Sequence, residues 1–491
     1  MQKGDREETL EPTAEALQKK IDEIGFGPAQ IIAVTCCGGI MASEGSEVNI
    51  MGCMTTLLAE QWNLSPFMKG FMTSIVFVGF AIGNLFSGYV GDRYGRRPAI
   101  LISYFVIFVA GTLTSFTEAC WSLVCIRFFV GVGCGIGFPS VYSLVPEVTP
   151  VWLRGVKSAV LISFMPLGEF YASLGVFLID KELEGTTPLG VASWRTLVQW
   201  SSIPPLFFLV FSLAFLQESP HFLLSRGRYK ELSETLDHMA WLNGMHVHTA
   251  VAPRAVETAG GPKDEVGEEV FSFLDAVYRL FSKRFMRTTL FLCLAQFTKD
   301  FGVFGLGYVF PQYFQETAGK LSVGSEMMVI ALLALPGVVL AAALTKLHYV
   351  GHITSMSLTA ALTGMSAFML LDFIRCSVFA YFVKFFAMAY FIVVVVYTAE
   401  VFPTRIRNSA VGLCTGCGRL GSITSPLIFE ILKSVTSSFS PWWLILLCLD
   451  AAVALGAPIF LTIETKGQKL ADDEGDSKRI DAPEKTQYST A

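Results

Sequence analysis

Charge is scarce in this chain: Asp, Glu, Lys and Arg make up 16% of its 491 residues, against the roughly 25% usual for soluble domains. The polar–apolar alternation of a soluble fold is also missing. Whole windows such as GFMTSIVFVGFAIGNLFSGYV and FAYFVKFFAMAYFIVVVVYTA are apolar on every face. There is no GxxxxGK[ST] phosphate loop, which disfavours ATP-driven pumping, and no HExxH, GxSxG or triad context, so no enzyme activity, cofactor or metal is expected. The run Gly131, Gly133, Gly135, Gly137 follows an apolar helix rather than a strand and lacks a βαβ frame, so it is not a nucleotide loop. The first ~28 residues are charged, and no signal peptide is expected there.

What is present is apolar sequence, 53% of residues, with a positive mean hydropathy. A spanning helix needs about 20 apolar residues, and only helices or closed barrels satisfy the backbone in lipid. Twelve stretches qualify, at roughly 30–57, 70–91, 98–117, 121–143, 155–178, 196–216, 288–314, 326–346, 353–373, 376–400, 408–432 and 442–463. An all-α membrane protein embedded in the lipid bilayer follows. Of the 36 Lys and Arg, roughly 26 fall on the side holding both termini and roughly six on the other, so both termini are expected in the cytoplasm. The membrane itself, plasma or internal, stays open. The eleven cysteines sit almost entirely in spans and read as small hydrophobes; Cys414 and Cys417, one turn apart, read as packing rather than as a metal or redox pair. Asn63 heads a glycosylation sequon on the outer side.

The long polar interruption divides the chain: a cytoplasmic tail at 1–28, a six-helix bundle at 29–216, a linker with amphipathic helices at 217–287, a second bundle at 288–464 and a tail at 465–491. The linker opens QESPHFLLSRGRYKELSETLDHMAWLNG and continues through a Gly-, Pro- and charge-rich stretch that reads as flexible. The halves repeat a signature. Glu147-x-x-Pro150-x-x-x-Arg154 follows the fourth span and Glu400-x-x-Pro403-x-x-x-Arg407 the tenth, an internal duplication. Glu218 after the sixth span and Glu464 after the twelfth make a second pair. Two bundles with a site between them is the layout of alternating-access transporters.

The loop GYVGDRYGRR, with Gly88, Asp92, Arg93, Gly95, Arg96 and Arg97, resembles the signature loop of the major facilitator superfamily, and Arg127 followed by Gly131, Gly133 and Gly135 resembles its second motif. The ESP at 218–220 and IETKG at 463–467 are similar to sugar-porter and organic-ion-transporter motifs. IDEIGFGPAQ, the acidic first span and GRLGSITSP at 418–426 are most similar to the synaptic-vesicle-glycoprotein-related and organic ion transporter branch. The resemblance covers residues 25–470. It implies that the loop charges form a conformational latch, with Asp92, Arg93, Arg96, Arg97, Glu147, Arg154 and Glu218 in one half and Glu400, Arg407 and Glu464 in the other. Acids among the basic residues are more than topology anchors need. The second half's matching loop, LTKLHYVGHIT, keeps Gly351 but has His348 and His352 where an acid and an Arg belong, so a lopsided latch is expected.

Ionisable residues in spans cost roughly 2.5–3.5 kcal/mol each on insertion scales and mark pathways or partners. Glu44 and Glu47 share a face of the first span. Two carboxylates that close resist double ionisation, so one would hold a proton, as proton-coupled symport requires; the alternative is simple pairing with Arg127 or Lys299. Arg127 and Arg419 sit beside small residues. Glu169 lies mid-span, Lys299 and Asp300 are expected to point apart, and Lys384 is the most isolated buried cation, a candidate anion anchor. The aromatics Phe301, Phe304, Tyr308, Phe310, Tyr313, Phe385 and Tyr390 read as packing first and pocket second. The reading is a monomeric secondary transporter of a small organic ion, leaning to a carboxylate with H⁺ as co-substrate, and with no nucleic-acid partner. The alternatives are an organic cation or sugar carrier, a non-transporting sensor or scaffold on the same fold, and a channel.

Overall fold

Serines before prolines and small turns start several spans. Ser65 Oγ accepts from Met68 N–H at 3.3 Å with Pro66 in the first turn, and Ser322 Oγ accepts from Ser325 N–H at 3.3 Å. Each satisfies a backbone donor that the helix itself leaves orphaned. The structure, a computed structural model, describes residues 6–10, 13–183, 191–245, 247–251, 278–317, 322–347, 350–372, 378–461 and 463–464.

Its elements are β1 (Arg6–Leu10), α1 (Ala14–Ile24), α2 (Pro28–Gln61), α3 (Pro66–Tyr94), α4 (Arg96–Thr114), α5 (Cys120–Val148), α6 (Arg154–Leu183), α7 (Val191–Ser201), α8 (Ile203–Phe215), α9 (Pro220–Ser225), α10 (Tyr229–Leu242) and β2 (Val247–Val251). The second half follows as α11 (Met286–Thr317), α12 (Val323–Lys346), α13 (His352–Phe368), α14 (Val378–Val401), α15 (Thr404–Thr436) and α16 (Ser440–Phe460). Among the described residues ten helical stretches are long and apolar enough to cross a membrane. The 17-residue α13 and α15, which carries Arg419, Glu430 and Lys433, complete the twelve. The expected sixth span is two helices, α7 and α8, because Pro204 and Pro205 lack the N–H groups needed to carry one helix past Ser202. The ninth ends at Phe368 rather than near 373, a position outside the described residues.

The N-terminal stretch is built into the fold. Thr13 caps α1, Leu17, Ile21 and Ile24 are buried, and Asp22 Oδ1 accepts from Val151 N–H at 2.9 Å. Asn243, after α10, accepts from Ala29 N–H at 3.1 Å and donates to Gln30 Oε1 at 2.9 Å, clamping the start of the first span. α9 and α10 match the expected amphipathic helices. The stretch expected to be flexible begins with β2, which pairs in parallel with β1, Arg6 beside Val247; residues 252–277 lie outside the described residues.

The first and last described segments, β1 and residues 463–464, lie on one face of the helix array, here the tail face, opposite the far face. Near the far face the halves touch backbone to backbone. A Cβ on Gly70 of α3 would lie 2.8 Å from Leu427 Cα of α15, one on Gly52 of α2 2.6 Å from Gly307 O of α11, and one on Gly324 of α12 2.6 Å from Phe177 Cα of α6. Ser74 Oγ donates to Ile423 O at 2.6 Å across the same seam, and Phe77 meets Phe304 edge-on at 5.0 Å. Whole turns further along the same stripes, toward the tail face, Gly88 on α3 and Gly412 and Gly416 on α15 have nothing among the described residues within 4 Å of an added Cβ. The halves are therefore closed at the far face and splayed at the tail face.

Candidate functional site: buried ion pairs between two halves

Every intramembrane cation singled out from the sequence has found an acid. Arg127 Nη1 of α5, fully buried, donates to Glu47 Oε2 of α2, and Ser201 Oγ of α7 donates to the other Glu47 oxygen at 2.8 Å. Lys299 Nζ lies 2.9 Å from Asp300 Oδ1, so these neighbours pair with each other rather than point apart. Lys384 is not isolated: its Nζ on α14 donates to Glu169 Oε1 on α6 at 2.7 Å. Arg419 Nη1 on α15 stands 3.7 Å from Glu44 Oε1 on α2.

Two kinds of pair result. Glu47–Arg127 and Lys299–Asp300 lie within one half, whereas Glu44–Arg419 and Glu169–Lys384 join the halves. Glu44 and Glu47 leave the same face of α2 but turn to different cations, so neither has to share a proton with the other. The Glu44–Arg419 contact is loose: Glu44 Oε1 and Arg419 Nε and Nη1 have no hydrogen-bond partner among the described residues. Its guanidinium rests instead on the Phe80 ring, 3.7 Å from the centroid, with Phe304 and Phe138 at 5.2 and 5.3 Å. Lys299 and Asp300 share the electrostatic neighbourhood of Glu44. Of the seven aromatics, Phe301 stacks on Trp442 and Tyr313 packs on Phe439 and Trp443. Phe304 faces the seam between the halves.

Three buried acids were missed: Glu326 in the first turn of α12, and two in mid-span. Glu430 accepts from Tyr308 Oη at 2.6 Å and Gln312 Nε2 at 2.9 Å, and Asp450 is 1% exposed. Each stands as a single acid in an apolar run, IFEIL and LCLDAA, the signal that would have found them. Cys414 Sγ lies 3.9 Å from Cys293 Sγ, and no metal-holding cluster occurs among the described residues.

The tail-face charges cap helix ends within each half. Glu218 Oε1 accepts from Arg96 N–H at 2.9 Å and Arg97 N–H at 3.2 Å, the first turn of α4. Burial pushes its carboxyl up, while the donors Ser219, Arg97 and Arg96 pull it down. Gly95, at φ 109°, leaves the room: a Cβ there would sit 2.1 Å from Glu218 Oε2. Arg96 also reaches Glu147 at 3.6 Å and Asp92 at 3.4 Å, and Ser219 Oγ donates to Glu147. Arg97 Nη2 donates to Leu213 O at 3.2 Å, and Arg93 donates to Tyr89 Oη at 2.6 Å.

The second half repeats the device. Glu464 accepts from His352 N–H at 2.8 Å and Ile353 N–H at 3.3 Å, the first turn of α13, and a Cβ on Gly351 would sit 2.2 Å from Glu464 Oε2. His352 Nδ1 lies 3.2 Å from Glu400. The loop expected to be degenerate thus keeps its tie, with His352 in the place of Arg96. Arg407 Nε donates to Phe402 O at 3.1 Å. The side chains of Arg154 and Lys346, and residue His348, lie outside the described residues.

The family model described as sugar (and other) transporter matches residues 32–474. "Putative transporter svop-1" of Caenorhabditis elegans is 24% identical over 498 residues, covering 95% of this chain and 91% of its own. "Niacin transporter NiaP" of Acinetobacter baylyi is 25% identical over 460 residues, covering 92% and 98%. The inward-open structure of the xylose transporter XylE from E. coli superposes with TM-score 0.67 at 18% identity, covering 90% of this chain and 97% of that one. At that identity it speaks for the fold alone.

Proposed function

The chain belongs to the sugar (and other) transporter family of the major facilitator superfamily, and from that premise we propose that it carries a small organic carboxylate together with a proton by alternating access. It is an integral, multi-pass membrane protein of the sugar and organic-ion transporter type. The observation that carries the proposal is the sorting of the ion pairs. Rocking of two rigid halves leaves Glu47–Arg127 and Lys299–Asp300 intact but must stretch or break Glu44–Arg419 and Glu169–Lys384. Charges that change partners during the cycle are the ones a charged solute and a proton can exchange with.

The closed far face and splayed tail face are those of one end state. With the tail face cytoplasmic, the orientation the Lys and Arg bias supports, that state is inward-facing. Arg419 is the anchor we assign to the carboxylate, since its Nε and Nη1 donors have no hydrogen-bond partner among the described residues and it lies at the seam. Resemblance to a relative described as a niacin transporter supports an organic-acid reading over a sugar one. The fold-level likeness to a xylose carrier does not bear on substrate.

Reconstituted protein tests this with radiolabelled nicotinate and a panel of small monocarboxylates, cations and hexoses. Uptake of a carboxylate should be driven by an inward proton gradient, show saturation and show counterflow. Gradient-independent, non-saturating flux would indicate a channel. Binding without counterflow would indicate a sensor or scaffold. Uptake confined to hexoses or cations would overturn the substrate assignment.

A further inference from the structure

The two halves carry the same end cap with one chemical difference. Gly95 corresponds to Gly351, Glu218 to Glu464, Glu147 to Glu400 and Arg96 to His352, each in the same contact. In the first half the residue that opens the helix and reaches back to the acid is an arginine, which stays charged at any attainable pH. In the second it is an imidazole, the side chain whose charge ordinarily changes between about pH 5 and 8.

We propose that His352 makes the second half's latch proton-sensitive, so that acid on the tail face ties the start of α13 to the end of α14 while alkali releases it, and the first half's latch stays tied throughout. The groups facing His352 favour this division. From α14 come Glu400, at 3.2 Å from Nδ1, and the ring of Tyr397, edge-on at 6.5 Å. From the chain after α16 comes Glu464, held by the backbone N–H groups of His352 and Ile353 whatever the state of the ring. From the start of α15, Arg407 donates to Phe402 O. Loss of the imidazolium proton therefore removes charge from the contact with Glu400 and leaves the Glu464 cap, made by backbone N–H groups, in place. His352 itself is buried, but the Glu400 side chain is 38% exposed, which gives protons on the tail face a route to the pair. Nothing here depends on what the protein carries.

Hydrogen–deuterium exchange on the intact purified protein at pH 6, 7 and 8, corrected for the intrinsic pH dependence of exchange, tests the tie. The peptides to follow are 350–356 and 396–402, with 92–98 and 144–150 in the first half as internal controls. In the wild type the second-half peptides should exchange about fivefold faster at pH 8 than at pH 6, the worth of one half-exposed ion pair. The first-half peptides should not change. His352→Arg should stay protected at every pH and Glu400→Gln should exchange fast at every pH, both with flat profiles. A merely structural histidine would leave the wild-type and His352→Arg profiles parallel, and that result, or an equal change in the first-half peptides, overturns the proposal. If His352→Arg fails to fold, the Glu400→Gln profile alone decides: it is flat if the tie exists and parallels the wild type if it does not.

Discussion

Removing Lys384 should be worse than removing Lys384 and Glu169 together. The pair spans the seam between α14 and α6, with side-chain exposures of 2% and 8% and a separation of 2.7 Å. Lys384→Met keeps much of the stem's volume but leaves a carboxylate buried with one strong donor gone. Taking one partner from such a pair costs about 3–5 kcal/mol, because the survivor stays buried and unpaired. Adding Glu169→Gln removes that stranded charge, and replacing both partners of a buried pair is often neutral or stabilising. Backbone contacts at the site survive both changes, since Asn49 Nδ2 and Ser173 Oγ donate to the Glu169 carbonyl rather than to its side chain.

A thermodynamic cycle of the two single variants and the double, read by denaturant or thermal unfolding of the purified protein, should therefore show a coupling of about 3 kcal/mol. The sign matters most: Lys384→Met must be the least stable of the set. If the double variant is no more stable than Lys384→Met, the contact does not hold the halves together and the division into internal and cross-half pairs loses its main support. Because the pair must part when the far face opens, the double variant should also shift the carrier toward its outward-open state. That shift reads out as faster labelling at far-face positions near Gly324.

Gly351→Ala should displace the Glu464 carboxylate, since the new methyl group would fall 2.2 Å from Oε2; transport should slow while the protein still reaches the membrane. Gly95→Ala should do more harm, combining the same collision with a left-handed φ of 109°. Asp92→Asn should slow transport less than Glu218→Gln, because the Asp92 side chain is 80% exposed and such pairs contribute only about 0–1 kcal/mol, whereas Glu218 caps two backbone donors. Gly70→Val should wedge α3 from α15 at Leu427 and raise far-face accessibility, measured by labelling from outside sealed vesicles. Glu44→Gln should abolish gradient-driven accumulation yet preserve exchange, because Glu44 faces Arg419 across the seam and is the acid given the coupled proton; accumulation at the wild-type level would exclude that role.

Twelve spans and the duplicated loops were legible because lipid leaves few choices. A segment of about 20 apolar residues must be a helix, and Glu-x-x-Pro-x-x-x-Arg at two matching places declares a repeat. Ion-pair partners were not legible, since Lys384 and Glu169 are 215 positions apart and nothing local to either encodes the other. Lys299 and Asp300 misled for the opposite reason: adjacent positions leave a helix in different directions, but a lysine stem is long enough to fold back onto its neighbour's carboxylate. His352 was noticed as a departure from pattern, and its role needed the structure, because a loop's geometry rather than its residue types shows that an imidazole has taken a guanidinium's place. The break at Ser202 was readable in principle from Pro204-Pro205, and was passed over because hydropathy runs smoothly across it.

The loose pair at the seam constrains the coupling that the proposed function needs. If a substrate carboxylate takes Arg419, Glu44 loses the ion-pair partner it has among the described residues, and an unpaired carboxylate mid-membrane costs several kcal/mol. That penalty disappears when Glu44 takes up a proton. Anion binding and protonation of Glu44 are then favoured together, whichever comes first, and the loaded carrier gains one negative and one positive charge. A neutral sugar would leave the Glu44–Arg419 pair undisturbed and give no such linkage, while a bare organic cation would compete for Glu44 and release Arg419 uncompensated. The geometry at Arg419 thus separates the candidate substrates by charge before it separates them by shape. Under the proposed function the two acids of α2 have different tasks: Glu47, fixed to Arg127 and Ser201 inside one half, would move with that half, and Glu44, facing Arg419 of the other half, would meet the solute.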